Sequence, residues 1–153
     1  MNDEPGISEN ALCLLFSRIT AALYTAIGHD LAEFGVTAHQ WPVLVLTYEG
    51  RANRPSELAR LIGIDRGAVT RLVDRLVDKG LVERIDDPGD LRAARVELTE
   101  RGKSLVPVLM NIVAARYDAT LAHLDPSERT PITGMLERLD QSLLTNGAAK
   151  KAG

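Results

Sequence analysis

The chain is poor in the residues that most metal sites and covalent mechanisms use. It has one cysteine, Cys13, and three histidines, His29, His39 and His123, in 153 residues. A single thiol closes no intrachain disulfide and builds no thiolate zinc cluster, and the histidines lack metal-ligand spacing. No cofactor and no metal are therefore expected. Aromatic residues make up only 4%, so a core must be packed by Leu, Ala, Val and Ile on helices, and a mainly β fold is disfavoured. No uninterrupted apolar run approaches the ~18 residues that span a bilayer. The first residues, "MNDEPGISEN", are acidic and lack a positive segment followed by an apolar one. These absences lead to the expectation of a soluble, cytoplasmic protein with no membrane partner. Nucleotide-binding glycine loops, G-x-S-x-G and H-E-x-x-H are missing too, so no enzyme is expected.

What the chain does have is 45% hydrophobic content, enough for one domain with its own core. The formal net charge is −3, unevenly distributed: residues 51–103 hold 12 Lys+Arg against 10 Asp+Glu, and the remainder 6 against 11. Charge acts by region, and the middle third is the basic one.

Apolar positions Leu12, Leu15, Phe16, Ile19, Leu23, Ile27 and Leu31 recur at helical spacing between about Ser8 and Phe34. A second stripe of Ala11, Leu14, Ala21 and Tyr24 makes this helix apolar around more of its circumference than one core requires, which points to contact with another chain. Thr37 and Gln40 form a capping box for a second helix, with Pro42 in its first turn. "RPSELARLIGI" reads as a short helix with Pro55 near its start. Gly63 supplies a turn, Asp65 is the N-cap of the next helix, and Gly80 ends it. Two helices joined this closely make a helix-turn-helix. The β-prone runs "LVERI" and "RVEL", separated by "DDPGDLRAA", predict a hairpin of about 18 residues with a long protruding turn. Helical spacing resumes at 104, where Pro107 is expected to bend or locally break the helix. A last helix opens at Asp125-Pro126-Ser127-Glu128. The fold class expected is mainly α with a small β-hairpin wing. Residues 37–103 form the winged helix-turn-helix, 8–34 and 104–145 a helical dimerisation region, and 146–153 a disordered tail.

At 100° per residue the 65–79 helix turns Val69, Leu72, Val73, Leu76 and Val77 to one side and Gly67, Thr70, Arg71, Asp74, Arg75 and Asp78 to the other. Gly67 and Ala68 leave its positive N-terminal end bare for close approach, flanked by Arg66, Thr70 and Arg71. Guanidinium groups suit guanine edges and phosphates, and an arginine on the adjoining hairpin suits a narrow minor groove. The expected DNA-binding residues are Ser56, Arg66, Gly67, Thr70, Arg71, Arg75, Arg92 and Arg95.

"SELARLIGIDRGAVTRLVDRLVDKGLVERIDDPGDLRAARVELTERGKSL" resembles the winged-helix core of the MarR family of transcriptional regulators. The likeness includes the LA-x-L helix, VTRLVDRL-x-x-KGLVER, the DP-x-D-x-R wing and LT-x-x-G, and "VTAHQWPVL" resembles the family's second helix. The resemblance implies a homodimer on a palindromic double-stranded DNA site, a repressor that a small aromatic carboxylate or phenolic effector releases. Where the family commonly has Asp-Arg-Arg in the wing, this chain reads Asp90-Leu91-Arg92, so only the second arginine is carried over. Effector candidates are Arg18, His39, Trp41, Met110, Arg116 and Tyr117. Cys13 has the spacing of the reactive cysteine in the family's organic-hydroperoxide sensors, without their flanking tyrosines, which makes a thiol-based peroxide sensor one alternative. A winged-helix protein-interaction module is another.

Overall fold

The computed structural model of the protein describes residues 9–149. Helix α1 (Glu9–Leu31) runs into a 3₁₀ turn (Ala32–Phe34), and α2 (Trp41–Tyr48), α3 (Pro55–Ile62) and α4 (Arg66–Asp78) follow. Strands β1 (Val82–Asp87) and β2 (Asp90–Leu98) form an antiparallel hairpin, succeeded by α5 (Glu100–Leu121) and α6 (Pro126–Ala149). Contacts divide the chain into one compact unit ending at Ala114 and a second beginning at Ala115. This is the mainly helical winged helix-turn-helix that the sequence predicts.

Local chemistry sets the element ends. The Thr37 N–H donates to Gln40 Oε1 and the Gln40 N–H to Thr37 Oγ1, each at 3.2 Å, so the reciprocal capping box is present. Asp65 Oδ1 accepts from the Ala68 N–H at 2.9 Å and starts α4. Gly63 at φ 78° and Gly80 at φ 67° adopt the left-handed conformation that closes α3 and α4. The core of the first unit is aliphatic: Leu44, Leu58, Val69, Val73, Leu76, Leu81, Val82, Val96 and Leu109 are all buried. Every inward residue named for α4 is buried or half-buried, which fixes the opposite side to face outward.

Four expectations change. The hairpin turn is not long: Asp87 pairs with Asp90, leaving only Pro88 and Gly89 between the strands. The register then jumps to Asp86 opposite Ala94, so Leu91, Arg92 and Ala93 form a bulge in β2. Arg92 therefore belongs to a strand and not to a turn tip, because the strands claim the residues assigned to the loop; its side chain lies outside the described residues. Pro107 does not break α5, which is continuous from Glu100 to Leu121. Residues 146–149, placed in the tail by the sequence reading, are part of α6, and 150–153 lie outside the described residues. Finally, Ala11–Phe34 is long and apolar enough to cross a membrane, with a mean hydropathy of 1.6. Ser17, Arg18, Thr20 and Thr25 break its apolar runs, yet the apolar residues between them keep the average high.

Only 6% of that apolar window is buried within the chain. Leu12, Leu15, Phe16 and Ile19, one stripe at helical spacing, are each more than two-fifths exposed.

Candidate nucleic-acid interface

The outward side of α4 carries Arg66, Gly67, Thr70, Arg71, Asp74, Arg75 and Asp78, all exposed. Its N-terminal turn is tightly built. A Cβ on Gly67 would lie 3.0 Å from the capping Asp65 Oδ1 and 3.5 Å from Arg71 Nη1. The missing side chain thus leaves room for the cap and for a guanidinium lying back over the first turn, where four N–H groups concentrate partial positive charge. The Thr70 hydroxyl donates to the Arg66 carbonyl at 3.0 Å, so its methyl is the group turned outward from that bond. Ser56 is exposed in the first turn of α3.

Asp74 would oppose an anion on this face, but Arg84 of β1 donates to Asp74 Oδ1 at 2.6 Å and pairs its charge. That contact also braces the wing against the helix. At the far end of α4, Lys79 Nζ donates to the Gly35 carbonyl at 2.5 Å and to Gln40 Oε1 at 2.8 Å. Burial, and then the neighbouring Arg75 charge, lower the Lys79 pKa from its ordinary value. Gln40 is almost fully buried, so its amide serves the α2 cap and the α4 terminus together.

The next corner explains LT-x-x-G. The Thr99 N–H donates to the Leu81 carbonyl at 3.1 Å, its hydroxyl donates to the Gly80 carbonyl at 2.7 Å, and the Gly102 N–H donates to that hydroxyl at 3.1 Å. A Cβ on Gly102 would sit 2.1 Å from the Leu81 carbonyl oxygen. The glycine is required by close approach of backbone to backbone, not by its torsion angles.

Arg95 is half-buried, with an Nε that is buried and unpartnered, and its charge acts on Asp87. It is thus less open than the exposed arginines of α4. Of the effector candidates, His39 is exposed and in ring contact with Tyr24 at 4.8 Å. Trp41 and Met110 pack partly buried against the core. Arg18 and Cys13 are exposed on α1, while Arg116 and Tyr117 lie in the second unit. His39 is the candidate that meets the α4 face: with Thr37, Ile64, Ala68, Arg71, Leu72 and Arg75 it lines a cleft of about 320 Å³.

A profile of MarR-family sequences matches residues 34–93, from the end of the 3₁₀ turn to the wing bulge. The winged core of the chain is thus similar to the MarR family. The MarR multiple antibiotic resistance protein of Escherichia coli is 40% identical over 75 residues, 49% of this chain and 52% of that protein. The match thus spans about half the length of this curated relative. Among solved structures, a MarR transcriptional regulator from Methanosarcina mazei Go1 aligns with a TM-score of 0.82 and 29% identity, over 90% of this chain and 99% of that one. A mutant of E. coli MarR complexed with operator DNA aligns with a TM-score of 0.76 and 28% identity, over 84% and 92% of the two chains.

The residues that the sequence reading missed are Arg54, Lys79, Arg84, Asp87 and, as a packing constraint, Gly102. Arg54 and Asp87 are 33 positions apart and Lys79 is 39 from Gln40. No local pattern announces either pairing. For Gly102 the LT-x-x-G pattern is a signal whose physical reason is the close Leu81 carbonyl.

Proposed function

We propose that this chain is a sequence-specific DNA-binding transcriptional regulator, a repressor that acts as a homodimer on a palindromic duplex. The observation that carries the reading is the two-sidedness of α4: its aliphatic side is sealed in the core, while Arg66, Gly67, Thr70, Arg71 and Arg75 line an open face beside a hairpin. A helix of this shape fits the major groove, with arginines for guanine edges or phosphates and a bare first turn for close approach. The operator complex of the E. coli relative supports the same use of the fold. The homodimer is supported by the uncovered apolar stripe of α1.

The test is selection from a randomised duplex library by the purified chain. A palindrome with half-sites about one helical turn apart is the expected product. Arg71→Ala should weaken binding to it by about tenfold or more, since a bidentate base contact is worth ~1–3 kcal/mol. Sequence-blind binding with no enrichment would instead favour a winged helix that docks on protein.

A small aromatic acid or phenol is the effector this reading favours. In the cleft beside α4 a carboxylate would take Arg71 or Arg75, with Ile64 and Leu72 against the ring and His39 at the rim. Ligand and DNA would then compete for the same guanidinium groups. A panel of benzoates, hydroxybenzoates and hydroxycinnamates should contain a compound that both raises Tm and frees the selected duplex. A panel with no such compound would turn attention to oxidation of exposed Cys13.

A further inference from the structure

Asp87 is the one acidic side chain buried among the described residues, at 7% exposure. It ends β1 beside the Pro88-Gly89 turn. Both its oxygens are engaged: Oδ1 accepts from the Gly89 N–H at 3.1 Å, and Oδ2 accepts from Arg54 Nη2 at 2.5 Å. The Gly89 N–H, and with it the Arg54 guanidinium, lowers the Asp87 pKa below the usual carboxylate range. One residue before Arg54, the Asn53 carbonyl accepts from the Val96 N–H of β2 at 2.7 Å. The two strands of the wing are thus held by two consecutive residues that precede α3.

A two-stranded hairpin is marginal by itself and needs anchorage to keep one orientation. The wing root has it from buried Val82, Val96 and Leu98. Near the turn the described anchor is the Arg54 contact, the last fixed point before the Leu91–Ala93 bulge. Arg54 is itself the N-cap residue of α3, immediately before Pro55. In a helix-turn-helix that first helix crosses the phosphate backbone.

We infer that the Arg54–Asp87 pair aims the wing, making Arg54 a positioning residue for flanking DNA contacts although it lies outside both α4 and the hairpin. The inference rests on the DNA-binding reading above. A buried carboxylate that loses its cation does not stay as it was, because an uncompensated buried charge is costly. The wing end then swings or resolvates, while α4, capped by Asp65 and packed by Val69, Val73 and Leu76, keeps its place.

The probe is the duplex that the wild type enriches from the randomised library, read by affinity and by hydroxyl-radical footprint. Arg54→Gln and Asp87→Asn should each bind about five- to tenfold more weakly. Both should lose protection in the flanking minor grooves while retaining it at the central half-site grooves; Arg54→Lys should restore most of it. A merely structural pair would lower Tm and leave the footprint unchanged, and full flanking protection in Arg54→Gln overturns the inference. Should Asp87→Asn fail to fold, Arg54→Gln decides alone, since that side chain is half-exposed. Should the wild type enrich no duplex, the DNA reading falls instead. Amide hydrogen exchange over residues 88–96 then tests the anchor: faster exchange in Arg54→Gln upholds it and unchanged exchange removes it.

Discussion

Gly102→Ala is expected to destabilise the protein by about 3 kcal/mol or more, lowering Tm by roughly 10 °C. The added methyl would stand 2.1 Å from the Leu81 carbonyl oxygen and 3.1 Å from Leu98 Cδ2. A side chain can rotate away from such a contact, but a carbonyl that already accepts from the Thr99 N–H cannot. Relief requires the start of α5 to move off the corner after α4, breaking the Thr99 bonds to Gly80 and Leu81. Thermal unfolding of Gly102→Ala beside Gly134→Ala is the measurement. Gly134 has no neighbour within 4 Å of the added carbon and sits inside α6, so there alanine should be neutral or stabilising by about 0.5–1 kcal/mol. Equal Tm values for the two variants would mean that the corner yields freely.

Leu15→Glu combined with Ile19→Glu should convert the proposed homodimer to a monomer and weaken binding to the selected palindrome by about 100-fold or more, the gain that linking two half-site contacts supplies. The two residues stand one helical turn apart in the exposed stripe of α1, at 43% and 47% exposure. Because both are open in the single chain, the charges cost the monomer's core nothing, and the effect reports on association alone. Sedimentation together with the DNA titration reads it. A doubly substituted protein that still sediments as a dimer and binds at full affinity would move the interface off this stripe. Partial loss of affinity with an intact dimer would show that α1 orients the half-sites without holding them together.

The elements that could be read from the chain were those whose causes are local. Thr37 with Gln40, Asp65, Gly63 and Gly80 are caps and turns decided within four residues, and each appears where the sequence predicts. The division of α4 into buried and exposed sides follows from periodicity alone. The hairpin was legible as a hairpin, but its turn was misjudged, since Pro88-Gly89 ends β1 while Asp90–Ala93 still count as strand through a bulge that no propensity encodes. Pairings across the fold, Arg54 with Asp87 and Lys79 with Gly35 and Gln40, were illegible, because exposed-looking charges acquire partners only when the chain is folded. The apolar character of α1 is hidden for a different reason: run length is a poor measure of a helix whose apolar stretches are broken by single polar residues such as Arg18 and Thr20.

The Asp74–Arg84 contact changes how this surface trades ions with its surroundings. Salt dependence of DNA binding counts the condensed cations that a protein displaces from phosphates, one for each positive charge it brings net. In the proposed DNA complex Arg84 would arrive already neutralised by Asp74, adding reach and hydrogen-bond donors without adding a displaced ion. A slope of affinity against salt would therefore undercount the guanidinium groups near the DNA, and the shortfall would be a property of the protein's own pairing rather than of distance from the helix.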